Sequence, residues 1–180
     1  AVFFTSDHGE MLGDHYLWRK RVPYEASSRV PMLIRLPERF GIRPGTVIDR
    51  PVSLEDIMPT CLELASVAIP DSVDGSSLIP LMRGEATNWR AYTHIECAPV
   101  HHTLTDGKEK FIWFAEDGRE QFFRLSEDPG ECRNLVNDPS EAKTVAGWRE
   151  LLIGELERRP EGFSDGKRLI PGRPYLPVLS

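Results

Sequence analysis

The residues best suited to chemistry lie close to the start of the chain. Between residues 7 and 21 stand three carboxylates, two imidazoles and the basic run Arg19-Lys20-Arg21, with two glycines among them. An apolar run at residues 1–4 precedes this polar segment. That order is typical of a strand that leaves a buried sheet and opens into a loop, where the ligands of open α/β sheets collect. We therefore expect the functional chemistry in the first 25 residues.

Asp7 and His8 offer a carboxylate and an imidazole side by side. On a regular strand the two side chains would point to opposite faces, but Gly9 permits a turn that brings both to one ligand. Such a pair suits a divalent cation. Oxygen-rich surroundings favour Ca²⁺, Mg²⁺ or Mn²⁺, whereas more nitrogen or thiolate favours zinc. The alternative is a hydrogen bond between the two residues at the end of a strand.

Lys20 follows His8 by twelve residues and lies between two arginines. A lysine ammonium is a compact charge that suits a tetrahedral oxyanion such as sulfate or phosphate, and it can stabilise charge that develops on a transferred group. The alternative is a solvated basic loop. A nucleic-acid site is a poor fit because the net charge of the chain is −6.

The run Ser-Asp-His-Gly-Glu-Met-Leu-Gly-Asp-His at residues 6–15, followed by Leu-Trp-Arg-Lys at 17–20, Tyr-Glu at 24–25 and Arg-Val-Pro at 29–31, resembles the second metal-binding segment of the sulfatase family. This family belongs to the alkaline-phosphatase-like superfamily. The resemblance implies that Asp7 and His8 bind the active-site cation and that Lys20 holds the sulfate or phosphonate group. The implied cation is Ca²⁺, with Mg²⁺ or Mn²⁺ as alternatives. His15 is a further candidate catalytic residue. A His after the Asp is similar to the branch that includes phosphonate monoester hydrolases.

The nucleophile of that family is missing from this sequence. Sulfatases use a formylglycine made from the Cys or Ser of a C/S-x-P-x-R motif. The nearest match, residues 97–101, has His in place of Arg and follows the metal segment instead of preceding it. The family's upstream Asp pair is absent too, and the chain begins in a predicted core strand without Met. We expect a C-terminal part of a sulfatase, with the formylglycine in a missing N-terminal part, and we expect the chain alone to be inactive.

The resemblance implies attack by the hydrated formylglycine on a sulfate ester of a small molecule or glycan, with the missing N-terminal part as partner. Phosphonate monoester or phosphodiester hydrolysis, and a non-catalytic orphan module, stay open as alternatives. The acidic charge argues against nucleic acid and anionic membranes, and no apolar run approaches the roughly 18–20 residues of a membrane span. Three widely spaced cysteines form neither a disulfide framework nor a zinc motif, which leaves the cytoplasm and the periplasm open.

The pattern divides the chain into residues 1–88, 89–160 and 161–180. The first part is predicted to be the C-terminal portion of an α/β catalytic domain, with a strand at 29–36 and a helix that begins after a capping box at Ser53. Cys61 falls on the apolar stripe of this helix and is predicted to be buried. The unpaired edge of the first strand predicts self-association.

The second part is predicted to be a small antiparallel sheet of about four strands, with hairpin turns at Asp106-Gly107 and Asp117-Gly118. A helix that begins at Asp138 covers it. The third part is expected to be an extended tail on the surface, and the fold class of the whole is α+β. The sheet resembles the small C-terminal sheet of sulfatases, whose loops shape the substrate pocket. His101-His102, between two strands, is a candidate substrate-binding pair; the alternative is a partly exposed polar pair on a loop.

Overall fold

The computed structural model describes residues 1–86, 88–97 and 99–174. Contacts between residues group the chain into two compact units. The first unit comprises residues 1–7 and 30–93, and the second comprises residues 8–29 together with the chain from residue 94 onward. The polar segment near the start of the chain thus belongs with the C-terminal part. The division into 1–88, 89–160 and 161–180 stays a prediction.

The described residues form six strands, four α-helices and single 3-10 turns at 14–16, 38–40, 54–56 and 139–141. The strands are β1 (Val2–Thr5), β2 (Met32–Arg35), β3 (Thr93–Cys97), β4 (His101–Thr105), β5 (Glu109–Phe114) and β6 (Glu120–Arg124). The helices are α1 (Glu25–Ser28), α2 (Ile57–Leu64), α3 (Ile79–Arg83) and α4 (Ala142–Glu157). Within this described part, no helix combines the length and the apolarity that a bilayer crossing requires.

In the first unit, β1 and β2 pair antiparallel, with Phe3 opposite Ile34. β2 confirms the strand predicted at 29–36. Since side chains alternate along a strand, Val2, Phe4 and Leu33 share one face of this two-stranded sheet. All three are exposed, by 63%, 64% and 58%. The first unit therefore presents an uncovered apolar sheet face.

The helix α2 of the first unit has the predicted capping box at its entrance, where the Ser53 N–H donates to Asp56 Oδ2 at 2.8 Å. Asp56 is fully buried and also accepts from Arg90. The buried Thr60 hydroxyl donates to the Asp56 carbonyl oxygen at 2.5 Å. This polar network occupies the inner face of the helix, so the prediction that Cys61 is buried is wrong: Cys61 is exposed.

The second unit contains a four-stranded sheet with the order β3-β4-β5-β6, in which β4–β5 and β5–β6 are antiparallel. This confirms the predicted meander. At the β4–β5 turn, Asp106 Oδ1 accepts from the N–H groups of Lys108 and Glu109 at 2.8 and 2.7 Å, and Gly107 has a φ of 86°. The Asp-Gly pair therefore closes the hairpin. The side chains at most 1% exposed include Leu104, Phe111, Ile112, Trp113, Phe122 and Phe123.

The helix α4 packs on β4 and β5, as predicted. Asp138 Oδ1 accepts from the Ser140 N–H at 3.0 Å, and Pro139 begins the 3-10 turn that leads into the helix. The buried residues of α4 are those of the predicted apolar stripe: Val145, Trp148, Leu152 and Leu156.

The chain after α4 differs from the expected surface tail. Phe163 is 1% exposed and its ring lies 5.8 Å from that of Trp113. The Phe163 carbonyl accepts from the Ile170 N–H at 2.8 Å, and the Gly172 N–H donates to the Ala115 carbonyl at 2.8 Å. Burial of the aromatic side chain draws this part of the chain into the core. The remainder of the predicted tail, residues 175–180, lies outside the described residues.

Candidate functional site

Residues 8–29, which we call the site segment, contain three of the six predicted functional residues: His8, His15 and Lys20. The two ends of the segment meet through backbone hydrogen bonds, from the Gly9 N–H to the Ser27 carbonyl at 2.8 Å and from the Glu10 N–H to the Ala26 carbonyl at 2.9 Å. A Cβ at residue 9 would overlap the Ala26 carbonyl oxygen. Glycine at this position thus allows the close approach that shapes the segment.

His8 begins the site segment and is half-buried. Its Nδ1 lies 2.6 Å from the Gly9 carbonyl oxygen. A carbonyl oxygen can only accept, so Nδ1 is the donor in this contact, and in the neutral form of the ring Nε2 carries the lone pair. Metal-binding imidazoles in proteins are commonly held in this way. Asp7, the residue before it, is exposed and is grouped with the first unit. The assignment of the two residues as metal ligands stays a prediction.

Residues 11–21 form the turn of the site segment between its two paired ends. Lys20 lies in this turn and is exposed. Five residues of this turn other than glycine have positive φ values, between 47° and 85°: Leu12, His15, Tyr16, Arg19 and Arg21. Each such residue costs about 1–3 kcal/mol and persists only where the surroundings hold it. Met11, 2% exposed, anchors the turn, and its N–H donates to the Arg19 carbonyl at 3.2 Å. Lys20 is therefore presented to solvent from a constrained turn.

His15 and Tyr24 join the site segment to β6 and to the loop that follows it. His15 Nε2 donates to the Gly130 carbonyl at 2.9 Å, and the His15 ring stacks on Tyr24 with centroids 4.2 Å apart and planes 5° apart. The Tyr24 hydroxyl donates to Gln121 Oε1 on β6 at 3.1 Å. These contacts position the segment. A catalytic role for His15 stays a prediction.

A second attachment of the site segment is the lysine cluster, formed by Lys110, Glu25 and Glu131. Lys110 on β5 is fully buried, and its Nζ lies 2.8 Å from Glu25 Oε1, 2.7 Å from Glu131 Oε1 and 2.9 Å from the Pro23 carbonyl oxygen. Glu131 Oε2 also accepts from the Glu25 N–H at 2.6 Å. Burial raises the pKa of the Glu131 carboxyl, and the neighbouring Lys110 ammonium opposes that rise. The cluster fixes the C-terminal end of the segment to the sheet.

Sequence reasoning did not identify the lysine cluster. Lys110 directly precedes the apolar run Phe111-Ile112-Trp113-Phe114, and nothing in the sequence pairs it with Glu25, 85 positions away. A lysine within an apolar strand is itself an indication of a buried ion pair, because a fully buried lysine is rare unless it is paired.

The predicted pair His101-His102 lies in β4, buried to 2% and 0% exposure. The alternative of a partly exposed pair on a loop is therefore wrong, because both imidazoles point into packed faces of the sheet. Burial lowers the pKa of each to about 4, so both rings are neutral at pH 7. A substrate-binding role for the pair stays a prediction.

His102 is part of a group that the sequence reasoning missed, the histidine cluster of His94, Glu96 and His102. His94 Nε2 lies 3.1 Å from His102 Nδ1, which lies 3.6 Å from Glu96 Oε2. Arg159 holds Glu96 with contacts of 2.5 and 3.2 Å to its two oxygens. The spacing His-x-Glu in β3 was the available indication, because residues i and i+2 of a strand share a face.

Comparison with known proteins gives a consistent family. A family model described as N-sulphoglucosamine sulphohydrolase, C-terminal, matches residues 13–157. An arylsulfatase of Clostridium perfringens is 43% identical over 175 residues, which cover 95% of this chain and 36% of that protein. The chain thus spans about a third of the length of the curated relatives that it matches.

Two solved structures are similar over most of the chain. One is an enzyme in complex with its substrate D-glucosamine-2-N,6-O-disulfate, with a TM-score of 0.80 and 27% identity, covering 93% of this chain and 36% of that one. The other is a phosphonate monoester hydrolase from Silicibacter pomeroyi, with a TM-score of 0.77 and 32% identity. The match covers 87% of this chain and 34% of that one. These neighbours agree with the α+β fold class and with a C-terminal portion of a sulfatase.

Proposed function

Since this chain belongs to the N-sulphoglucosamine sulphohydrolase C-terminal family of sulfatases, we propose that it acts in a metal-dependent enzyme that hydrolyses sulfate esters. The observation that carries the proposal is the site segment. It starts at His8 with a defined tautomer, presents Lys20 to solvent and is fixed at its far end by the buried lysine cluster. In this account the chain supplies half of an active site and the preceding part of the full-length protein supplies the rest.

Asp7 and His8 would hold the divalent cation. The donors fit such an ion if most of its other ligands are oxygens: the Asp7 carboxylate supplies oxygen, and the His8 Nε2 lone pair adds one nitrogen. The Nδ1 contact with the Gly9 carbonyl fixes the ring. Ca²⁺ is the proposed ion, with Mg²⁺ or Mn²⁺ as alternatives. When bound, a cation of this kind supplies Lewis-acid polarisation of the ester and a template for the sulfate group.

Lys20 would contact the sulfate oxygens. An ammonium held near these oxygens offsets negative charge as it develops during transfer, and a preorganised charge of this kind needs no rearrangement at the moment of reaction. The constrained backbone on either side of Lys20, with positive φ at Arg19 and Arg21, supports a fixed presentation of the side chain.

The nucleophile would come from the part of the full-length protein that precedes this chain, as a formylglycine. The exposed apolar face of β1 and β2 supports such a partner, because a soluble protein rarely leaves Val2, Phe4 and Leu33 exposed together without a functional reason. We further propose a sulfated small molecule or glycan as substrate; one similar structure has the sulfated sugar D-glucosamine-2-N,6-O-disulfate as its substrate.

The test is hydrolysis of an aryl sulfate by the full-length protein and by the 180-residue chain. We expect turnover by the full-length protein that is lost on treatment with a chelator and restored by Ca²⁺, and no turnover by the chain alone. A His8→Gln variant should need a higher cation concentration for the same rate. A full-length protein with no sulfatase activity under any cation, or with activity that a chelator leaves unchanged, would contradict the proposal.

Phosphonate monoester hydrolysis is the second candidate. The observation in its favour is the similar phosphonate monoester hydrolase, which is 32% identical. A sulfate monoester and a phosphonate monoester are both tetrahedral monoanions at neutral pH, so Asp7, His8 and Lys20 suit either. The ratio of kcat/KM for an aryl sulfate and an aryl phosphonate monoester, measured on one preparation of the full-length protein, separates the two. A ratio above one favours the sulfatase, and a ratio below one favours the phosphonate hydrolase.

A further inference from the structure

We propose that the histidine cluster, His94, Glu96 and His102, is a transition-metal site that is separate from Asp7 and His8, and that Zn²⁺ is the ion it fits best. The three residues belong to neighbouring strands of the sheet in the second unit. His94 and Glu96 share one face of β3, and His102 lies on β4 beside them. This inference does not depend on the sulfatase proposal.

The distances between the donor atoms suit a common ion. One donor atom from each residue lies within 4.8 Å of the other two. Two of the three pairs are His94 Nε2 and His102 Nδ1 at 3.1 Å, and His102 Nδ1 and Glu96 Oε2 at 3.6 Å. Bonds of about 2.0–2.1 Å to Zn²⁺ in a tetrahedron place neighbouring donors about 3.3 Å apart. The two observed distances, 3.1 and 3.6 Å, lie just below and just above this value.

The surroundings of the cluster hold the donors in place. Arg159 contacts both oxygens of Glu96 and also contacts Glu161 Oε1 at 3.0 Å. A carboxylate oxygen has two lone pairs, so Glu96 Oε2 can accept from Arg159 and still face the imidazoles. Hydrogen-bonded partners of this type orient metal ligands and tune their affinity. Arg159 is therefore a positioning residue for the site.

The local charge favours a cation. Glu161 and Glu155 interact electrostatically with the imidazoles of the cluster, so three carboxylates with Glu96 stand against the single guanidinium of Arg159. Two buried polar atoms of this region, His102 Nε2 and Glu161 Oε2, have no hydrogen-bond partner within residues 1–86, 88–97 and 99–174. Folded proteins rarely leave such atoms unpaired.

The donor set determines which ion is preferred. Two imidazoles and one carboxylate suit Zn²⁺ or Co²⁺, whereas Ca²⁺ prefers sites in which most of its six to eight ligands are oxygen atoms. Three protein ligands also leave one coordination position open, which is the arrangement of catalytic zinc sites and not of structural ones. We therefore assign the site to an ion that can accept one further ligand.

The test is titration of the tag-free, chelator-treated 180-residue chain with ZnCl₂ in a calorimeter, with Co²⁺ absorption spectra as a second measurement. We expect one equivalent of Zn²⁺ and visible bands typical of four-coordinate Co²⁺. His94→Gln and Glu96→Gln should each weaken Zn²⁺ binding at least tenfold. Glu150→Gln, on the exposed surface of α4, is the matched control and should leave the affinity unchanged.

A double variant, Asp7→Asn with His8→Gln, distinguishes this site from the one under Proposed function and should keep the equivalent of Zn²⁺. Circular dichroism of each variant establishes that it is folded, and Glu96→Gln is the more tolerant substitution because Glu96 is exposed. The proposal is overturned if the wild-type chain binds no Zn²⁺, if His94→Gln and Glu96→Gln bind it as well as the wild type, or if the double variant loses it. None of these results would bear on sulfate hydrolysis.

Discussion

The second unit contains two buried polar clusters, and they differ in how their atoms are paired. In the lysine cluster, one ammonium lies within 2.9 Å of two carboxylates and a carbonyl oxygen. In the histidine cluster, two neutral imidazoles and the Glu96 carboxylate converge, with one donor atom of each within 4.8 Å of the other two. An ammonium that compensates two carboxylates fixes the backbone around it, whereas two imidazole nitrogens and a carboxylate at this spacing are suited to a metal ion. The difference separates a structural role from a binding role.

The largest expected effect is on the lysine cluster. Lys110→Met removes the ammonium and leaves Glu25 and Glu131 facing each other in a buried site, which should lower the free energy of unfolding by about 3–5 kcal/mol. Denaturant unfolding of the 180-residue chain measures this. Lys108→Met, at an exposed position two residues earlier in the same hairpin, should change stability by less than about 0.5 kcal/mol. Equal stabilities of the two variants would show that the cluster does not hold the segment.

The second-largest expected effect is the stabilisation of the folded chain by Zn²⁺ bound at the histidine cluster. A ligand that binds only the folded state stabilises it by about 2.7 kcal/mol at a concentration of 100 times its Kd. Zn²⁺ should therefore raise the Tm of the wild-type chain and leave that of His94→Gln almost unchanged, as a thermal melt with and without Zn²⁺ would record. The same rise in both proteins would place the ion elsewhere.

The pH dependence of the Lys110→Met variant sharpens the comparison further. Burial raises the pKa of Glu131, and loss of Lys110 should raise it further. A carboxyl with a higher pKa in the folded state than in the unfolded state favours folding at low pH and loses that contribution as the pH rises through the folded value. The stability deficit of Lys110→Met should thus shrink between pH 7 and pH 5, by about 1.4 kcal/mol for each unit of additional pKa rise. A deficit that is constant or grows on acidification would mean that Glu131 is not the group left uncompensated.

The smallest effect tests the contact between the site segment and β6. Tyr24→Phe removes the hydroxyl that donates to Gln121 and keeps the ring that stacks on His15, so the free energy of unfolding should fall by about 1 kcal/mol. Tyr16→Phe is the control, because Tyr16 is 99% exposed. If the two substitutions have the same effect, the Tyr24 hydroxyl does not stabilise the segment.

The elements of the second unit could be predicted because their determinants are local. Asp106-Gly107 specifies a turn within three residues, and the stripe of α4 from Val145 to Leu156 follows from helical periodicity. Asp138 and Pro139 mark the start of that helix by their own backbone preferences. Prediction succeeded wherever the deciding interaction lies within a few residues.

The two clusters could not be predicted because their members are distant in sequence. Lys110 meets Glu25 and Glu131 only after the sheet has formed, and Arg159 reaches Glu96 across 63 positions. The same limit explains Cys61, because the inner face of α2 is set by the distant contacts of Asp56 with Arg90 and of Thr60 with the Leu78 N–H. Local pattern gives the strands and helices, while long-range pairing of polar groups decides which side chains are brought together.

The role of Lys20 is the most direct test of the account. We would measure kcat/KM of the full-length protein on an aryl sulfate for the wild type, for Lys20→Ala and for Lys143→Ala, an exposed lysine on α4 that serves as the control. If Lys20 stabilises the sulfate oxygens, Lys20→Ala should lose about 10²–10³-fold in rate, and Lys143→Ala should match the wild type. Equal rates for Lys20→Ala and Lys143→Ala would contradict the assignment of the site segment as the sulfate-binding part of the enzyme.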